Sequence, residues 1–330
     1  MFPSYSGVAS YVTGVLLRST KPTPRAIAVA SSILLLWLSL FGCGGSSSPP
    51  TPSSGSGPVV AADHVFIVVL ENHGFDQVIG SPSMPYLNSL ATQHGLATGY
   101  FANAHPSIPN YFMLATGNIE TLDDNFTGTV SDNNIVRALT SSGKTWKAYI
   151  EDLPSAGYTG PSTGLYLKRH NPFAYLSDVT GSSAQAANMV PFSQLAADLA
   201  AGPSANFVYI LPNSQDDGHD CPGGAPTCTD AQVLTAVDNW LMTNIDPVIH
   251  SSNFGNSLLV ITWDESVSTD SINGGGHIAT VLVGPHTKSG FRSATTFQHQ
   301  SLLRLALDSL RVSNLPGASA GAPSMGDFLQ

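Results

Sequence analysis

Four short apolar runs stand out along the chain: HVFIVVL at His64–Leu70, NFVYIL at Asn206–Leu211, SLLVITW at Ser257–Trp263 and IATVLV at Ile278–Val283. Each is rich in β-branched residues and largely continuous rather than alternating, the pattern of strands covered on both faces of a mainly parallel sheet. Between them lie stretches with helical spacing. Ala231–Ile249 carries Val233, Val237, Trp240 and Leu241 on one face, and Gln298–Leu310 repeats the pattern. Strand alternating with helix predicts an α/β fold: a doubly wound, mainly parallel sheet with helices on both faces. Residues 59–330 contain no low-complexity linker and no internal repeat, so they read as one domain.

The pattern before residue 59 is of another kind. Arg18, Lys21 and Arg25 precede the uncharged run Ala26–Gly42, which predicts an export signal over residues 1–42. Leu40-Phe41-Gly42-Cys43 resembles the lipobox of bacterial lipoproteins, which implies acylation of Cys43 and a lipid anchor at the bacterial cell envelope. Gly44 after the cysteine points to the outer membrane in a Gram-negative host. The Gly/Ser/Pro stretch over residues 43–58 has the composition of a flexible tether. A plain cleaved signal with secretion, or a retained membrane helix, are the alternatives.

Charge narrows the function. Only 10% of the 330 residues are charged, and the formal net charge is −10. From Cys43 onward nine basic residues face twenty-two acidic ones. Such a surface repels phosphate backbones, so no nucleic-acid partner is expected, and phosphate chemistry here calls for a metal. Cys221 and Cys228, in CPGGAPTC, read as a disulfide in an oxidising compartment. Zinc binding is the alternative, poorly served without a CxxC pair.

In doubly wound sheets functional residues follow the carboxyl ends of the strands. Here Glu71-Asn72-His73 follows the first run, Pro212 to Asp220 (PNSQDDGHD) the second, and Asp264-Glu265 the third. Turn formation explains Asn, Asp and Gly there. It does not explain acids directly after a buried strand in a chain so poor in charge. Convergent Asp, Glu, Asn and His suit a divalent cation. Separately, Ala104-His105-Pro106-Ser107-Ile108-Pro109-Asn110-Tyr111 leads into FMLATG. Pro109 suits a first helical turn, placing Ser107 at or near a helix N-terminus, where the exposed amides favour an anion. Ser107 there is either a nucleophile or only a helix cap.

Together these segments resemble the phosphoesterase family of the alkaline phosphatase superfamily, which includes secreted acid phosphatases, phosphoinositide phosphatases and phospholipases C. The matching blocks are VVLENHGFD (Val68–Asp76), HPSIPNY (His105–Tyr111), YLKRHNPF (Tyr166–Phe173) and LPNSQDDGHDC (Leu211–Cys221). ITWDES, GGGHIATVLVGP and FQHQSLLRLALDSL follow in the same order within Ile261–Leu310. The resemblance implies that Glu71, Asn72, Ser107, Asp264 and Glu265 bind a divalent metal, with Ser107 the nucleophile and Asn110 a donor to a phosphate oxygen. It implies that Asp217, His219 and Asp220 line the site, as ligands of a second metal or as acid/base groups. His170 would face the phosphate or protonate the leaving group, and His299 would be a last metal ligand. His277 is a further candidate. Glu265, where relatives carry a histidine, leans towards one hard metal (Ca²⁺, Mg²⁺ or Mn²⁺) over a pair of zinc ions.

The implied activity is metal-dependent hydrolysis of phosphate monoesters through a phosphoserine, by a monomer at the cell surface. Its substrate would be a small phosphate ester or a phospholipid headgroup. A phospholipase C-type phosphodiesterase is the alternative, and a catalytically inactive anchored binding lipoprotein the second. A sulfatase lacks support, because the Ser107-Ile108-Pro109 segment has no following arginine.

Overall fold

The computed structural model describes residues 58–202 and 204–330. The predicted signal, Cys43 and the tether up to residue 57 lie outside the described residues.

Eight strands form one sheet: β1 (His64–Leu70), β2 (Gly95–Ala97), β3 (Trp146–Ile150), β4 (Met189–Pro191), β5 (Phe207–Leu211), β6 (Ser257–Trp263), β7 (Thr280–Val283) and β8 (Arg292–Ser293). Their order is β4-β3-β5-β1-β6-β7-β2-β8. All pairings are parallel except those of β7, which runs antiparallel to both β6 and β2. From Val65 on, every residue of β1 is buried, as are all of β5 and β6, so both faces of the central sheet are covered. The helix Ser107–Thr116 packs on His299–Ser309, and Pro85–Gln93 packs on Asp230–Asn244. Chain and sheet therefore have the expected doubly wound, mainly parallel α/β architecture.

Local chemistry accounts for the departures. The periodic stretch Ala231–Ile249 is two helices, Asp230–Asn244 and Asp246–Ile249, because Pro247 cannot donate to a preceding turn and starts its own. The first opens on Thr229, whose hydroxyl accepts from Gln232 N while the Gln232 side chain returns to Thr229 N. The run Ile278–Val283 is strand only from Thr280. Cys221 and Cys228 form a disulfide with Cα atoms 5.6 Å apart.

The register positions the chemistry. Leu70 pairs with Trp263 at the ends of β1 and β6, and Asp264 N donates to Leu70 O at 2.9 Å. Glu71 and Asp264 therefore leave the sheet side by side. Glu71 N donates to Asp217 O at 2.8 Å, which draws the segment after β5 to the same place.

Candidate active site

Ser107 opens the ten-residue helix Ser107–Thr116, with Pro106 as its N-cap. Its hydroxyl lies 3.1 Å from Glu71 Oε2 and 3.3 Å from Glu265 Oε1, and the side chain is buried. Three elements thus converge on one oxygen: the ends of β1 and β6 and the start of this helix. Tyr111, one turn along the helix, donates to Glu71 Oε1 at 2.8 Å.

His170 fills the other side of Glu71. Its Nδ1 is 3.1 Å from Asp217 Oδ2, and its ring stacks on Tyr111 at 5.2 Å. Nε2 is 3.0 Å from Glu71 Oε1 but out of line for a hydrogen bond. Glu71, His170 and Asp217 are all buried, and one ligand atom from each lies within 4.8 Å of the others, so the three can hold a metal ion. Asp217 also accepts from His219 N at 2.8 Å, across Gly218. Gly218 has φ +103°, and a Cβ there would come within 3.0 Å of Glu71 O, so this turn needs glycine.

The electrostatics are those of a site short of positive charge. Burial pushes the Asp264 pKa well above the carboxylate range, and its neighbours Glu71 and Glu265 push it further. Neither Asp264 oxygen has a hydrogen-bond partner. Burial, with Glu71 beside it, pushes Glu265 up to about 7 despite His105. Burial likewise raises Asp217 to about 6 against the pull of His170. Burial alone would raise Glu71, but the His170 cation outweighs it and holds Glu71 down to about 2. Burial would deprotonate His170, yet Glu71 and Asp217 push it up to about 9. Four buried carboxylates thus share two histidines, His170 and His105. The Tyr209 hydroxyl, in the field of Asp264 and Glu71, is also buried without a partner. Orphaned oxygens and an orphaned ring nitrogen around a surplus of carboxylate are the donor set of a divalent cation.

Several expected roles change. Asn110 is not free to hold a phosphate oxygen. It is fully buried, its Nδ2 donates to Ala104 O (2.8 Å) and Pro106 O (3.3 Å), and its Oδ1 accepts from Asn103 N and Ala104 N. Both its donors are spent on the turn that presents Ser107. His299 is not placed as a metal ligand. Its Nε2 donates to the Asp264 carbonyl at 2.6 Å, its Nδ1 faces the Tyr100 hydroxyl at 3.2 Å, and burial drives its pKa down to about 4. It buttresses Asp264 from behind. Asp220 stands at the half-exposed rim, 2.8 Å from His219 Nδ1, rather than among the buried carboxylates. His219 Nε2 accepts from Arg169 at 3.0 Å. His277 lies outside the cluster, its ring stacked on Phe75 and Phe101 and its Nε2 on Thr98 O. Asn72 follows Glu71 at the strand end, partly buried.

Three residues of the site went unassigned in the sequence. His105 holds Glu265 Oε2 at 2.7 Å through Nδ1, and its Nε2 lies 2.8 Å from Asp270 O. Tyr111 holds Glu71. Asp124 accepts from Ile108 N at 3.2 Å. The first two stand in the same HPSIPNY block as Ser107, so proximity to the nucleophile was an available signal. Asp124 has none, being in an irregular segment.

The fold and this arrangement define a phosphoester hydrolase. The sequence model of the Phosphoesterase family matches residues 81–310, and the chain belongs to that family. It is 33% identical over 316 residues to a phosphatidylinositol-3-phosphatase of Mycobacterium tuberculosis, covering 92% of this chain and 94% of the relative. A probable acid phosphatase of Kluyveromyces lactis is 28% identical over 251 residues, and the matched part is 56% of that longer protein. Among solved structures, an alkaline phosphatase superfamily protein from Vibrio parahaemolyticus shares the fold, with a TM-score of 0.55 at 14% identity over 81% of this chain and 72% of that one. The protein is a hydrolase acting on phosphoric esters.

Proposed function

We propose that the protein hydrolyses phosphate monoesters with Ser107 as nucleophile, a divalent cation as cofactor, and a phosphoserine as intermediate. The observation that carries this reading is the Ser107 hydroxyl between Glu71 Oε2 and Glu265 Oε1, with the unpartnered Asp264 carboxylate in the same buried cluster. Glu71, Asp264 and Glu265, with His170 and Asp217, would hold the cation. When bound, it would lower the pKa of the serine hydroxyl and offset charge on the phosphoryl group.

Glu265, whose Oε1 lies 3.3 Å from the hydroxyl, accepts the Ser107 proton. Oγ attacks phosphorus in line, the P–Oγ bond forms, and the bond to the leaving oxygen breaks. His219, once protonated on Nε2 in place of its contact with Arg169, delivers a proton to the leaving alkoxide. Water then attacks the phosphoserine and passes a proton to His219, the P–Oγ bond breaks, Oγ takes its proton back from Glu265, and inorganic phosphate leaves. Asn110 fixes the turn before Ser107, so the nucleophile is positioned before substrate arrives.

The names of the relatives favour monoester substrates, one of them a lipid headgroup. The domain division at residues 42 and 58, with Cys43 as lipid anchor and the enzyme exported to the cell surface, belongs to the same proposal. It rests on the sequence pattern before residue 59. The test is hydrolysis of p-nitrophenyl phosphate and bis-p-nitrophenyl phosphate by the full chain, with and without chelator, beside Ser107→Ala. Chelator-sensitive monoester turnover that disappears in Ser107→Ala is expected. Preference for the diester would move the assignment to the phospholipase C type, and turnover of neither would favour the binding lipoprotein.

A further inference from the structure

We propose that Asp124 occupies the phosphate subsite of the free enzyme and sets how tightly the substrate's phosphoryl group is held. This rests on the reading of Ser107 as nucleophile. Asp124 Oδ1 accepts from the Ile108 amide at 3.2 Å, the amide next to the nucleophile at the start of a ten-residue helix. Its Oδ2 lies 4.0 Å from Arg169 Nε, and Arg169 Nη2 is 3.0 Å from His219 Nε2. A carboxylate between a helix N-terminal amide and a guanidinium is held as an oxyanion would be. A phosphoryl group within reach of Ser107 Oγ brings its non-bridging oxygens to the same two donors. Asp124 and that group compete for them.

The surroundings allow the exchange. The Asp124 side chain is 34% exposed and Arg169 23%, whereas the Glu71 and Asp217 carboxylates beyond them are fully buried. Two residues along, Phe126 packs its ring against Phe112 and Tyr175 and pins the segment. Asp124 can therefore swing into solvent by side-chain rotation while the backbone stays in place. Arg169, released from it, is the cation left to meet the phosphate. Lys168, the neighbouring base, is turned over the Tyr175 ring at 4.5 Å.

Asp124→Asn separates this role from a structural one, because asparagine still accepts from Ile108 N but carries no charge. Binding of inorganic phosphate to the full chain in Mn²⁺-containing buffer, followed by calorimetry, should tighten roughly fivefold, the size of one screened charge interaction. KM for p-nitrophenyl phosphate should fall by a similar factor with kcat changed less. The gain should be smaller for bis-p-nitrophenyl phosphate, which carries one negative charge rather than two. Unchanged or weaker phosphate binding in a variant that melts like the parent would overturn the proposal. Should Asp124→Asn fail to fold, Arg169→Ala carries the test: phosphate binding must weaken, and unaltered binding overturns it. Ser107→Ala, run alongside, keeps phosphate binding and loses turnover. An active Ser107→Ala would instead remove the nucleophile reading and leave the phosphate result standing.

Discussion

His105 Nδ1 lies 2.7 Å from Glu265 Oε2, and its other ring nitrogen lies 2.8 Å from the Asp270 carbonyl. The ring thus ties the segment after β6 to the turn that presents Ser107. The Asp270 carbonyl only accepts, so Nε2 donates to it, and the contact between Nδ1 and Glu265 Oε2 needs a second proton shared by that pair. Glu265 is aimed by this contact, leaving its Oε1 for Ser107. Residues that orient the groups around a metal or nucleophile contribute about 10- to 100-fold to activity. His105→Ala should lower kcat by that factor with little effect on the melting temperature. His105→Gln, which keeps a polar contact, should recover part of it. Steady-state kinetics beside thermal melts separate the two effects.

Asn110 offers a sharper contrast. Four hydrogen bonds to backbone atoms of residues 103–106 come from this one buried amide. Asn110→Ala leaves those backbone groups unpaired in a dry interior and should cost about 2–4 kcal/mol in denaturant unfolding. Asn110→Asp keeps the acceptor but loses both donors and should also destabilise. A residue that only touched phosphate would raise KM and leave stability alone.

The two parts of the molecule were unequally legible. β1 and β6 match their apolar runs residue for residue, because strands covered on both faces have no polar position to blur their limits. β2, β4 and β8 hold three, three and two residues and carry no period that a pattern could register. β3, WKAYI, mixes a half-exposed Lys147 with a buried Trp146. In the site, Glu71, Asp217, Asp264 and Glu265 were readable from their place after strands. What a side chain bonds to was not. Asn110 was expected to meet a phosphate oxygen and His299 a metal, and only the fold shows Asn110 bonded to backbone groups and His299 to the Asp264 carbonyl and the Tyr100 hydroxyl.

Acid stability provides a check on a contact that is not part of the site. Asp178 accepts from Arg137 Nη2 at 2.8 Å, Arg137 Nε at 3.2 Å and Asn134 Nδ2 at 2.7 Å. Partial burial would raise its pKa, but these donors outweigh it and hold the carboxyl below its ordinary value. A depressed carboxylate contributes stability that is fully present above its unfolded pKa, near 4, and is lost as pH falls through the folded value. Asp178→Asn should therefore cost about 1 kcal/mol at pH 7, a modest figure because the pair is partly screened by solvent. The difference should close as the pH drops towards 3. Urea unfolding of both proteins at pH 3, 5 and 7 tests the sign.

Asp264 carries the prediction that most directly concerns the cation. Its two oxygens are buried, unpartnered and beside Glu71 and Glu265, so without a cation the native state either holds like charges in a medium that solvates them poorly or takes up a proton that the unfolded chain has given up at pH 8. Removing that charge relieves the repulsion and preserves shape. Asp264→Asn should thus be more stable than the parent in chelator at pH 8, by about 1–3 kcal/mol. With millimolar Mn²⁺ or Ca²⁺ the order should reverse: the parent gains RT ln(1 + [M]/Kd), and the variant, short of one anionic ligand, gains less. The amide is also unable to supply the negative charge that balances the cation, so activity should fall with the metal response. Thermal melts of both proteins with chelator and with each ion read the crossing directly. A parent whose melting temperature ignores every divalent ion would show that the carboxylates around Ser107 are held by protons alone.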